Sequence, residues 1–158
     1  MDRRTFHSAL VLAAATAAST FAQTQTPPAA AAAAASNLAV TVNYTGKGPV
    51  DASHGILVFL FDTPNITGQS QPIAAAQTIT KNGGTATFTN IGAATVYVAV
   101  VYNEKGDYDG IGGPPPVGTP VAIHSKDTKD LNSPPLGVVT GPKATVKISF
   151  SDATRFGG

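Results

Sequence analysis

The stretch Phe88-Thr-Asn-Ile-Gly-Ala-Ala-Thr-Val-Tyr-Val-Ala-Val-Val-Tyr-Asn-Glu-Lys-Gly-Asp-Tyr-Asp-Gly110 decides the fold. It reads as a strand end, a tight turn, a continuous apolar strand and an acidic loop punctuated by glycine. Side chains alternate faces along a strand. Val96, Val98, Val100 and Tyr102 therefore point one way, and Tyr97, Ala99 and Val101 the other. Both sets are apolar or aromatic, so the strand requires cover on both sides.

Working outward, Ile56-Leu-Val-Phe-Leu-Phe61 has the same two-faced character and reads as a second central strand. Leu38, Val40, Val42 and Tyr44 alternate with Ala39, Thr41 and Asn43. Val146, Ile148 and Phe150 alternate with Thr145, Lys147 and Ser149. These are half-buried strands. Ile73 to Thr80 is a weaker strand, and Asn82-Gly83-Gly84 suits a tight hairpin returning through Thr85 to Phe88. Thr119 to His124 reads as a short edge strand and Leu136 to Val139 as a short apolar patch. Turns are rich in Gly and Pro, and the domain shows no sustained helical period. The pattern predicts an all-β, antiparallel β-sandwich of about seven strands, prealbumin-like or immunoglobulin-like.

The chain has 158 residues, room for one domain and its approaches. Residues 1–22 pair an early Arg3-Arg4 with an apolar run, Ser8 to Ala18, and small residues at Ser19 to Ala22. This is the pattern of an export signal, with cleavage expected near Ala22. Arg3-Arg4-Thr5-Phe6 also fits a twin-arginine motif, and an ordinary export signal fits the same residues. Residues 23–36 are Pro- and Ala-rich and read as a flexible tether. The domain is expected over 37–152, with 153–158 as a tail. Removing residues 1–22 takes away Asp2, Arg3 and Arg4 and leaves eight basic and eight acidic side chains. A neutral chain offers no electrostatic attraction to nucleic acid, and no later apolar run is long enough to enter a membrane as a helix. The absence of cysteine excludes disulfides and thiolate chemistry. The expected location is the periplasm or the cell exterior.

Phe88-x-x-Ile91-x-x-Ala94-x-x-Tyr97-x-Ala99-Val100, followed by Asn103-x-x-Gly106-Asp107-x-Asp109-Gly110, resembles a pattern of secreted bacterial sandwich domains. These are the transthyretin-like (prealbumin-like) and carboxypeptidase-regulatory-like domains, and an acidic-loop domain family of unknown function. The resemblance runs from Leu38 to Asp152. It departs where Ala94 stands for the usual glycine and Asn103 for a frequent aspartate. It implies a sandwich fold and carries no catalytic residue onto this chain.

The acidic loop gathers hard oxygen ligands, Asn103, Glu104, Asp107 and Asp109, of the kind calcium takes. Their spacing is not that of an EF-hand, and a solvated turn shaped by Gly106 and Gly110 accounts for the same residues. Nothing in the pattern requires a cofactor. Tyr108, Pro114, Pro115 and Pro116 form a candidate binding loop, with a ring on an exposed turn and a stiff proline run beside it. His54 and His124 are the imidazoles of the domain, and no Gly-x-Ser-x-Gly elbow accompanies them. The expected role is a non-catalytic binding or structural module. Its protein or cell-surface partner would meet the acidic loop, the proline loop or an edge strand. A calcium-dependent or carbohydrate-binding domain is the alternative. A hydrolase, requiring His54 or His124 beside a serine and a carboxylate, is a further one.

Overall fold

The computed structural model describes residues 36–157. The expected export signal, and all of the expected tether except Ser36, lie outside them. The described residues hold eight strands and no helix: β1 (Leu38–Tyr44), β2 (Ile56–Phe61), β3 (Gln77–Ile79), β4 (Thr85–Phe88), β5 (Thr95–Tyr102), β6 (Val121–Ile123), β7 (Val138–Val139) and β8 (Thr145–Phe150). One sheet has the order β4-β1-β8. The other has the order β3-β2-β5-β6, with β7 also paired to β5. The all-β sandwich expected from the alternation is the observed fold.

The two all-apolar segments are neighbours. β2 pairs antiparallel with β5 over the whole length of β2, from Ile56↔Tyr102 to Phe61↔Tyr97. Their inner faces, Ile56, Val58 and Leu60 with Val96, Val98, Val100 and Tyr102, pack against the alternating apolar residues of β1, β4 and β8. The outer faces of β1 and β8 carry Thr41, Asn43, Thr145, Lys147 and Ser149, the polar half of the alternation. Half-burial of these strands and full burial of β2 thus follow directly from their residue patterns.

Several local expectations are corrected. The sandwich is antiparallel except for β1 and β8, which pair parallel from Ala39↔Thr145 to Tyr44↔Phe150. The cause lies at Gly141-Pro142. Asn37 and Gly141 exchange both main-chain hydrogen bonds, at 3.2 and 3.0 Å, so β8 starts level with β1 and runs alongside it. Asn82-Gly83-Gly84 is not a hairpin turn, because β3 and β4 belong to different sheets. Its polar groups bond to β1 instead. The Asn82 amide accepts from Tyr44 N (2.8 Å) and donates to Tyr44 O (2.7 Å), and Gly83 N donates to Val42 O (3.0 Å). The strand expected over Ile73 to Thr80 shrinks to β3. Ala74-Ala75-Ala76 has little side chain with which to pack a pleated surface.

One end of the sandwich is closed by a polar clasp. The Tyr44 and Tyr102 rings, one from each sheet, stack with centroids 4.2 Å apart. The Tyr44 hydroxyl donates to the Asp152 carboxylate just beyond β8, and Lys47 N donates to the same carboxylate. The Tyr102 hydroxyl donates to Pro49 O at 2.8 Å. The Tyr44 bond and Lys47 N–H hold the Asp152 carboxyl below its ordinary 3.8. His54 N–H, and then its ring, do the same for Asp51. Burial raises the phenols of Tyr44, Tyr102 and Tyr108 above 10.0 and lowers the His124 imidazole below 6.5.

The pH dependence follows from these directions. A depressed carboxylate contributes stability above its unfolded pKa and loses it as pH falls through the folded value. The buried His124 likewise loses its contribution as pH falls below 6.5. A raised phenol contributes below pH 10 and loses it as pH rises through the folded value. The melting temperature is therefore expected to be level from about pH 7 to 9.5. It should decline slightly below pH 6.5, more steeply below about pH 4, and again above pH 10. Thermal melts across that range check this. Tyr44→Phe, which removes a hydrogen bond to a carboxylate at a cost of about 1.5–3 kcal/mol, should flatten the alkaline limb. An unchanged alkaline limb in that variant would show that Tyr44 is not its source.

Candidate functional site

The second face of β2 and β5 positions the site. Leu57, Phe59 and Phe61 of β2, Tyr97, Ala99 and Val101 of β5, and Val121 and Ile123 of β6 make up the outer face of the larger sheet. Leu57, Phe59, Phe61, Val101 and Val121 are buried there. Among the described residues no third sheet covers them. The cover is irregular chain, from residues 62–76, 103–120 and 124–137, which connect strands in the same sheet. A hairpin between neighbouring strands needs about 2–5 residues, and connections beyond about 12–15 are uncommon unless they carry a function. The surplus chain folds over the sheet, bringing Ile66, Tyr108 and Leu131 against the outer apolar cluster.

Residues 153–157, expected as a tail, complete this cover. Val121 N donates to Thr154 O (3.0 Å), Phe156 N to Thr119 O (2.9 Å) and Gly118 N to Phe156 O (2.8 Å). The segment lies along the free edge of β6 and delivers the Phe156 ring to the outer face. The Thr154 hydroxyl donates to Lys129 O at 3.0 Å, tying this segment to the loop that carries Leu131.

The cover leaves a cleft of about 220 Å³. Its floor dips at Ala99, a small residue opposite Phe59 on β2 and Ile123 on β6. Its walls include Phe61, Tyr108 and Phe156, with Pro72, Pro114 and Pro115. The proline loop forms one lip, from which Ile111 and Val117 project almost free of cover, 80% and 76% exposed. Three segments meet at Gly68. A Cβ there would stand 3.3 Å from the Phe156 ring and 3.4 Å from Pro114.

Tyr108, Pro114 and Pro115 of the expected binding loop are thus brought together in the cleft wall, while Pro116 is exposed outside it. Tyr108 is held on both sides. The Asn103 side-chain amide donates to Tyr108 O (2.8 Å) and accepts from Tyr108 N (3.2 Å), and the Tyr108 hydroxyl donates to Gly113 O (3.0 Å). Burial, and then the Asp109 carboxylate, push this phenol above its usual value, so it stays a neutral donor at physiological pH.

The calcium candidates are engaged separately. Asn103 is spent on Tyr108. Glu104 pairs with Arg155 at 2.9 Å, and Asp109 accepts from Ile111 N at 2.8 Å. Asp107 is exposed beside a second, polar cleft of about 200 Å³ that Asn103 and Glu104 also border. Among the described residues, no three His, Cys, Asp or Glu side chains converge as a metal-holding group. His54 bonds to Asp51, three residues back, at 3.0 Å within a local turn. Among the described residues neither imidazole is hydrogen-bonded to a serine.

The fold and the site together define a β-sandwich with a loop-built apolar cleft on one outer face. No family model, curated protein or solved structure matches the chain. The likeness to secreted transthyretin-like domains rests on the residues quoted for it.

Proposed function

We propose that the chain is an exported, non-catalytic binding module of the periplasm or cell exterior, and that it holds its partner at the outer-face cleft and its proline lip. The observation that carries this reading is the excess of loop. Three connections far longer than their strands require converge on one sheet face, and they enclose accessible apolar space instead of closing it. A connection serving only as cover gains most by filling that space, since unfilled apolar volume is destabilising. Ligand sites in compact domains are concave and largely apolar, with few polar groups. The acidic loop contributes through Asn103, which fixes the height of the Tyr108 ring.

Xenon-pressure NMR tests the reading. The amides of Ala99, Gly110 and Ile123 are expected to shift saturably as an apolar guest enters. Ala99→Phe, which fills the floor with a good strand former, should abolish the shifts while leaving the β1 and β8 resonances in place. Absence of any xenon-dependent shift on this face overturns it.

A further inference from the structure

We propose that the cleft takes one small, neutral, ring-bearing molecule. This rests on the cleft being the recognition surface and names its ligand class. Charge gives the first constraint. Among the described residues, no Asp, Glu, Lys, Arg or His lines the cleft. A charged group entering it would lose hydration without gaining a counter-charge. Carboxylates, phosphates and amines are disfavoured accordingly.

The polar side chains of the cleft give the second constraint, because most are already used. Ser70 Oγ accepts from Thr67 N (2.8 Å) and donates to Asn65 O (3.0 Å). Thr67 Oγ1 accepts from Gln69 N (3.2 Å). The Tyr108 hydroxyl is given to Gly113 O. Among the described residues, Gln71 carries the polar side chain of the lining that is left without a partner. A sugar, with a hydroxyl on most carbons, would leave several of them unpaired on entering, and buried unpaired polar groups are costly. A ring with a single polar atom fits, its apolar body over Ala99 and its polar edge toward Gln71.

Volume and wall shape give the third. About 220 Å³ lies between a cavity of roughly 150 Å³, which holds one benzene, and the roughly 300 Å³ at which drug-sized sites begin. One substituted or fused ring fills it. The flat faces of Phe61, Tyr108, Phe156 and the prolines suit offset or edge-to-face contact with such a ring. An alkyl chain offers them no matching plane.

Full-length ¹⁵N-labelled protein titrated separately with indole, decanoate and maltose tests this. Indole is expected to give saturable shifts at Ala99, Gly110 and Ile123, stronger at equal concentration than either other probe. Ala99→Phe should weaken indole at least ~tenfold, and Ile123→Trp serves the same purpose if that variant folds poorly. Decanoate or maltose binding the same amides more tightly than indole overturns the ligand class and leaves the cleft reading standing. So does xenon entry without any indole shift. Silence from all three probes and from xenon overturns both.

Discussion

Leu60→Ala is expected to lower the unfolding free energy by about 2–5 kcal/mol. Leu60 is fully buried on the inner face of β2, opposite Val98, in the middle of the cluster shared by both sheets. Truncation removes the transfer energy of the lost methyl groups and leaves a void that two paired strands cannot close. A domain of this size holds about 5–15 kcal/mol in all, and no disulfide backs it up. Melting should therefore fall by roughly 10 °C or more. Phe59→Ala, one residue away on the opposite face, removes a larger side chain yet is expected to cost less. The layer above it is irregular chain that can settle into the gap, and the cost of a cavity depends on how well its surroundings collapse. Urea unfolding of both variants gives the comparison. Amide exchange should quicken along 103–118 in Phe59→Ala and throughout the sandwich in Leu60→Ala. A Leu60→Ala cost below about 1 kcal/mol would mean that the stability does not reside between the sheets.

The contrast between the two faces also explains what the sequence could and could not reveal. Alternation at period two places Val40, Val58, Val100 and Ile148 in the core without ambiguity, because a one-residue slip would turn every one of them to the other side. The two-sided apolarity of Ile56–Phe61 and Thr95–Tyr102 likewise demands cover on both faces. It does not specify what supplies that cover. The outer face is roofed by loops, and loops carry no periodic signal. The contributions of Ile66, Leu131 and Phe156 to the cleft are therefore absent from any pattern. Connection length was the available clue. Residues 62–76 and 103–120 are too long for neighbours in one sheet, but their excess becomes visible only once the pairing of β2 with β3 and of β5 with β6 is known. Asn103 was singled out as an oxygen ligand, and its oxygen is indeed used, but by the amide of Tyr108. Composition identifies the donor and acceptor types, whereas partner choice depends on how the loop turns. The Asn82-Gly83-Gly84 segment departs from the expected hairpin for the same reason. Its chemistry fits a hairpin, yet β1 offers unpaired main-chain groups beside it, where the β4 ladder continues past Thr85.

Gly110→Ala is expected to cost about 2–5 kcal/mol from two separable sources. Gly110 has φ +78°, in the left-handed region. There a Cβ meets its own carbonyl, a cost of roughly 1–2 kcal/mol. That Cβ would also stand 2.8 Å from Leu57 Cδ2 and 3.0 Å from the Phe59 ring, closer than packed carbons tolerate. Both neighbours are buried and cannot swing away, so the loop must lift. Overpacking of this kind costs about 1–3 kcal/mol. Gly112 separates the two terms. Its φ is +86°, and nothing lies within 4 Å of where its Cβ would sit, so Gly112→Ala should carry the backbone cost alone, about 1–2 kcal/mol. Urea unfolding of the pair measures the difference. Xenon-dependent shifts at Ala99 and Ile123 report on the cleft, and they should be lost in Gly110→Ala and kept in Gly112→Ala. Equal costs in the two variants would mean that the segment leading into Pro114-Pro115-Pro116 does not rest on Phe59. The proline lip would then have no fixed height above the sheet. Its fixed height is what turns a patch of exposed strand into a cleft, because the floor at Ala99 and the walls at Tyr108 and Phe156 enclose space only while glycine lets the backbone touch the ring beneath it.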